Sequence, residues 1–182
     1  MKCSQTAYGC EDVEPHGFVS LMDLYGNNFI RIRKLIPALQ ANIPPHHQHN
    51  STHSAILSYA VSRVDGCLDL HCHLLEQTKY TTTFVLTYYF AEPDRQPPIY
   101  IAEPQLHCRV YHDACLVEVL TGHLFHGRLK YDHLPASAIK IKWQLNRLLY
   151  KWLGYCLYSG HLIKQFESQP TVADISSTVG SM

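Results

Sequence analysis

The chain has 182 residues, 46% of them hydrophobic and only 16% charged, with Lys plus Arg and Asp plus Glu balanced at 15 each. That length supports one domain with a packed core, and the balance excludes the broad positive field that grips nucleic acid or an acidic membrane surface. Seven cysteines, none in a C-x-x-C pair, and an N-terminal segment without an apolar run predict reduced thiols in a cytoplasmic protein.

In chain order, residues 1–16 show no apolar period and read as a flexible arm. From Gly17 to Ile36 the apolar residues Phe18, Leu21, Met22, Tyr25, Phe29, Ile32 and Ile36 recur at helical spacing, and Pro37 ends the run. Arg31, Arg33 and Lys34 crowd its last turns, where cations suit the helix dipole and also offer a patch for a partner. Residues 44–53 are a His-rich loop. His46, His47, His49 and His53 are the only metal candidates there, since imidazole suits soft divalent ions. Their spacing matches no closed zinc signature and no thiolate or acid stands beside them, so no cofactor is expected.

Ala55 to Ser62 reads as a strand, followed by the turn signal Asp65-Gly66. Cys67 to Glu76 and Thr81 to Phe90 are two more strands, rich in Thr, Tyr, Phe and Val. Asp69, His71 and His73 share a face by period two, a two-His-one-acid pattern for which a half-exposed sheet face is the plainer explanation. Glu92 to Pro98 is a proline loop. His123 to Tyr131 is a further strand with Gly127 as a bulge, and Asp132 to Pro135 is a turn. A helix capped by Ser137 runs to about Ser159, burying Ile141, Leu145, Leu148, Leu149, Trp152, Leu153 and Cys156, with Gly160 placed to end it. Its most apolar part, Leu145 to Leu157, is broken by Asn146, Arg147 and Lys151 and does not make a membrane span. Residues 161–182 lose periodicity and read as a flexible tail.

The stretch Gln105 to Val119 is a β-hairpin with His112-Asp113 as its two central turn residues. This register pairs Tyr111 with Ala114, Arg109 with Leu116 and His107 with Glu118. Cys108, Val110, Cys115, Val117 and Val119 then face the core. His107, Arg109, Tyr111, Ala114, Leu116 and Glu118 face outward, with Arg109 and Glu118 as diagonal neighbours. The polar residues near the turn make His112, Asp113 and Glu118 the candidates for acid–base chemistry. The plainer alternative is a solvated hairpin carrying a surface ion pair.

Several pieces carry a family likeness: Asn28-Phe29 with Arg33, Leu35 and Pro37; Glu76-x-Thr78-Lys79-Tyr80-Thr81-Thr82; Arg109-x-Tyr111-His112-Asp113-Ala114 with Glu118-Val119; Tyr131; and Gln144, Asn146 and Trp152-Leu153-x-Tyr155-Cys156-Leu157 with Gly160. Spread in order over residues 18–160, they resemble the YqiB-like family of bacterial proteins, which has no assigned function. The resemblance implies a bacterial cytoplasmic protein and brings no catalytic residues with it. The His-rich segment, the arm, the tail, His71 and His73 lie outside those pieces.

The expected architecture is α+β: one domain over residues 17–160, with an antiparallel sheet of five or six strands covered on one face by an N-terminal and a C-terminal helix. The two hairpin tips should share one end of the sheet and line a common pocket. Glu76, Lys79, Tyr80, Arg109, Tyr111 and His112 are its expected ligand-binding residues. With no nucleophile constellation and no Gly-rich phosphate loop, the function expected is non-catalytic binding of a small anionic ligand or a protein partner, with Arg109 and Lys79 suiting an anion. The alternatives are an acid–base hydrolase or lyase using His112 with a carboxylate, and a regulatory or structural subunit that buries Arg31, Arg33 and Lys34 in an interface.

Overall fold

The computed structural model describes residues 17–40, 58–92, 99–124, 129–131 and 139–168. The expected arm, the His-rich segment with His46, His47, His49 and His53, the Gly127 bulge, the Asp132 turn, the Ser137 cap and the chain beyond residue 168 lie outside these residues.

Helix α1 spans Gly17–Leu35 and buries Leu21, Tyr25, Phe29 and Ile32, the stripe its 3–4 spacing dictates. Pro37 cannot continue the α-helix and starts a short 3-10 turn, Pro37–Gln40, in which Leu39 joins the core. Among the described residues nine strands follow: β1 (Ser58–Ser62), β2 (Leu70–Gln77), β3 (Thr81–Thr87), β4 (Tyr89–Ala91), β5 (Tyr100–Ala102), β6 (Gln105–Tyr111), β7 (Leu116–Leu124), β8 (Leu129–Tyr131) and, after α2 (Ile139–Tyr158), β9 (Glu167–Ser168). The main sheet is antiparallel throughout, in the order β8-β7-β6-β3-β2-β1-β9, while β4 and β5 form a separate two-stranded ribbon. The fold is α+β. Strands β1, β2, β3, β6 and β7 carry the sheet, and the short β8 and β9 extend its two edges.

Alternation along the strands decides what each face does. Leu70, Cys72, Leu74, Phe84, Leu86, Leu106, Cys108, Val110, Val117 and Val119 point to one face and are buried there with both helices. From α2, Leu145, Leu149, Trp152, Leu153 and Cys156 close the same core. Tyr88, just past β3 and in phase with Phe84 and Leu86, meets Trp152 edge-on with ring centroids 5.3 Å apart. β3 ends at Thr87, three residues before the expected Phe90, and Tyr89–Ala91 pairs with Tyr100–Ala102 instead.

The two helices run side by side in the same direction, because their contacts climb together. Trp143 Nε1 donates to Ser20 Oγ (3.3 Å), Asn28 Nδ2 to the Asn146 carbonyl (3.1 Å) and Arg31 Nη1 to the Tyr150 carbonyl (2.6 Å). Asn146 is the junction of the core. Its Oδ1 accepts from the Val119 N–H at 3.1 Å and its Nδ2 donates to the Lys142 carbonyl at 2.8 Å. The β8 ladder covers only Gly122 to Leu124, so this side chain takes the strand N–H that β8 leaves unpaired. Arg31 lies 3.5 Å over the Tyr150 ring and fills the space where Gly154 has no Cβ. One of the three cations expected to serve a partner surface is therefore turned into the helix pair.

The opening hairpin differs from expectation in its turn. His112 to Cys115 form a four-residue turn, so Tyr111 pairs with Leu116 and Arg109 stands directly opposite Glu118. The pairing is displaced by two residues from the expected register. A displacement of two preserves the faces, which is why Cys108, Val110, Val117 and Val119 are buried as expected. Cys115 is the exception: it is exposed at the turn with φ +56° rather than in the core. Packing also continues past Gly160. His161 and Ile163 are buried, the Ile163 N–H donates to the Leu35 carbonyl at 2.8 Å, and β9 pairs with β1. The stretch 161–168 thus packs against the domain, and it satisfies the Leu35 carbonyl at the end of α1.

Candidate functional site

The two hairpin tips do share one end of the sheet. β3 and β6 are antiparallel neighbours, so the start of one meets the end of the other, and the His112 N–H donates to the Tyr80 carbonyl at 2.8 Å. Four residues then line up straight across the sheet: Glu76 opposite Thr83, Thr83 opposite Arg109, Arg109 opposite Glu118. A bulge at Leu75 makes this row. Without the extra residue, Glu76 would share the buried face of Leu74; with it, Glu76 turns to the face opposite the helices.

The row is closed on itself. Arg109 Nε donates to Thr83 Oγ1 at 3.1 Å, and its Nη2 lies 3.8 Å from Glu76 Oε2. Glu118 accepts from Tyr111 at 2.7 Å and from Tyr25 of α1 at 3.3 Å, with Lys142 Nζ of α2 at 3.9 Å. Burial, then the Glu118 carboxylate, pushes the Tyr25 hydroxyl far up, and the same causes raise Tyr111. Both phenols therefore stay protonated donors. Arg109 sits between two carboxylates, so its charge is already matched within the row.

His112 is placed differently. By strand parity it shares the helix-covered side with Val110 and Thr82, and its Nε2 is 2.8 Å from Thr82 Oγ1. Burial lowers its pKa more than Asp113 raises it. Asp113 uses Oδ1 to accept the Ala114 N–H at 2.9 Å, a turn-building contact. So His112 has a hydroxyl for a partner, and Glu76 and Glu118 lie on the other face. The structure brings Glu76, Arg109, Tyr111 and Glu118 together, pins His112 beneath them, and leaves Lys79 and Tyr80 exposed at the tip, with Nζ of Lys79 5.0 Å over the Tyr80 ring.

A second constellation lies on the same open face, about 16 Å from the row along β2. His71 and His73 project there side by side, rings 6.5 Å apart and nearly parallel at 13°. Tyr89 stands across them, edge-on to His71 at 4.7 Å and 81°, its hydroxyl 3.0 Å from His73 Nε2. His71 and Tyr89, with Cys67, Leu68, Asp69 and Tyr100, border a cleft of about 570 Å³, within the usual range of small-molecule sites. Burial lowers the pKa of both histidines, so both rings are neutral at pH 7. Among the described residues no group of three or more His, Cys, Asp or Glu is arranged to hold a metal ion, and Asp69 instead pairs with Arg63 at 3.2 Å.

Period two on β2 pointed to His71 and His73. Tyr89 was hidden inside an apparently continuous strand, and Tyr100 reaches the site only through the pairing of β5 with β4 across the proline loop, which no local pattern reveals.

Fold and face define a class: an α+β domain with one sheet face sealed by helices and the other, among the described residues, without a helix over it and carrying a polar row and an aromatic cleft. The chain belongs to a family of proteins of unknown function, DUF1249, whose model matches residues 32–162. It is similar to the uncharacterized protein YqiB of Escherichia coli strain K12 and of Escherichia coli O157:H7. Each is 29% identical over 147 residues, covering 79% of this chain and 90% of the relative. No solved structure matches it. Among the described residues no helix is long and apolar enough to cross a membrane.

Proposed function

We propose that this protein is a non-catalytic binding domain that holds a small ligand on the open face of its sheet. The observation that carries this reading is the cleft of about 570 Å³ beside His71, Tyr89 and Tyr100. It is shallow and bordered by rings, and the Tyr89–His73 hydrogen bond fixes part of its border in advance. The chemistry of the face supports binding over turnover. The charged groups of the row are matched by one another, and the histidine next to them bonds a buried threonine. An anionic ligand draws less support than the tip residues suggested, since Arg109 is flanked by Glu76 and Glu118. The free thiols of Cys67, Cys72, Cys108, Cys115 and Cys156 support a reducing, cytoplasmic setting.

Thermal melts across a panel of amines, organic acids, sugars, nucleosides and aromatic heterocycles test this reading. A true ligand raises Tm in proportion to its occupancy, and at 100 times Kd it adds about 2.7 kcal/mol. A Tm that stays unchanged across the whole panel counts against binding.

A further inference from the structure

We infer that the cleft takes a planar heteroaromatic ring that carries an N–H donor and no negative charge. The inference rests on the binding reading above and adds the chemical class of the ligand. The first support is shape. His71 and Tyr89 meet at 81°, forming a corner of two ring walls. Tyr89 is held in that position by its hydrogen bond to His73, so the corner exists before a ligand arrives. Tyr100, on the ribbon strand β5, is 62% exposed and stands at the rim as a third ring with most of its surface still to be covered. Leu68, 48% exposed, adds an apolar side. A flat ring gains most from such walls, through stacking on one and edge contact with the other.

The second support is charge. Among the described residues the cleft is bordered by one carboxylate, Asp69, and by no lysine or arginine. Its histidine is neutral at pH 7, because burial disfavours the imidazolium more than Asp69 favours it. An anion entering the cleft meets the electron-rich ring faces and the Asp69 carboxylate, whose cationic partner Arg63 is already engaged with it. Arg63 engages Asp69 through Oδ2 at 3.2 Å, which leaves Oδ1 as an acceptor for a ligand N–H. Indole and benzimidazole meet all three requirements of flatness, an N–H edge and neutrality.

Calorimetric titration of the full chain with indole, 1-methylindole and cyclohexanol tests the assignment. Indole should bind, 1-methylindole should bind about tenfold more weakly for want of its donor, and cyclohexanol should not bind detectably. Tyr100→Ala should weaken indole about tenfold and leave Tm unchanged, since the side chain is largely exposed. Asp69→Asn should narrow the gap between indole and 1-methylindole. If cyclohexanol binds as tightly as indole and Tyr100→Ala weakens both alike, the heteroaromatic class is wrong while the cleft remains a binding site. Indole binding that ignores Tyr100→Ala overturns the placement. If no probe binds and the melting panel is also flat, both the class and the binding reading fall.

Discussion

At one end of the open sheet face, Glu76, Thr83, Arg109 and Glu118 stand in register across four neighbouring strands, with Arg109 engaging Thr83 and Glu76 and Lys142 lying beside Glu118. At the other end, His71, His73 and Tyr89 also contact one another, yet they leave a cleft beside them. The two ends occupy one face of one sheet. What separates them is the neighbour in front. At its β7 end the tip row is reached round the sheet edge by Tyr25 of α1 and Lys142 of α2, which complete the Glu118 cluster. Among the described residues the cleft is met by the β4–β5 ribbon, whose Tyr89, Phe90 and Tyr100 are exposed. Polar residues gathered in one place are therefore a poor guide to a site; the row stabilises the sheet, and the emptier end has room for a ligand.

That contrast can be broken most sharply at Glu118. Glu118→Ala removes the acceptor of two phenols and the partner of Lys142, and should cost about 2 kcal/mol in urea denaturation while leaving the affinity of any cleft ligand unchanged. A change in ligand affinity as large as the change in stability would join the two ends into one site. Thr82→Val keeps the shape of a fully buried side chain and strips His112 of its partner. It should cost about 1 kcal/mol, which a urea midpoint shift would register. Cys115→Gly should work in the other direction. Its residue sits at φ +56°, where a side chain carries a penalty of about 1 kcal/mol, so stability should rise by a similar amount.

Acidification links the two ends. His71, His73, His112 and His161 all have pKa values below the ordinary 6.5, in each case chiefly because burial disfavours the charged ring. Once pH falls below 6.5, the unfolded chain takes up protons that the folded one resists, so stability is full above that value and declines beneath it. Urea midpoints from pH 7.5 to 5 should fall steadily, and His71→Asn should flatten part of the slope. A midpoint that rises on acidification would reverse the assignment. The smallest effect belongs to Tyr100→Ala, which should shift stability by no more than about 0.5 kcal/mol even as it empties the cleft of its rim.

Much of the fold is written in spacing. The core stripe of α1, the inward set Cys108, Val110, Val117 and Val119, and the shared end of the two tips all follow from period. The turn length did not, because His112 to Cys115 contain no glycine to mark where the chain reverses. Asn28 and Asn146 are fully buried, yet amides read as surface until their partners are known. His161 and Ile163 carry too short a pattern to announce that they pack. The cleft was legible only by half: alternation put two histidines on one face, but the tyrosine opposite depends on pairing between residues on either side of a proline loop.

The Asn28–Asn146 contact joins side chains 118 positions apart. Folding therefore has no early, local way to complete this core: the first helix must wait until the last has been made before its buried amide finds a partner. Chains dominated by such distant pairings fold slowly and expose unfinished sheet meanwhile. On a ribosome, α1 would emerge first and stay unsealed until α2 arrives, so this small domain should behave during synthesis as one indivisible unit. A fragment ending before Ile139 should show no cooperative unfolding transition, however much of the sheet it contains.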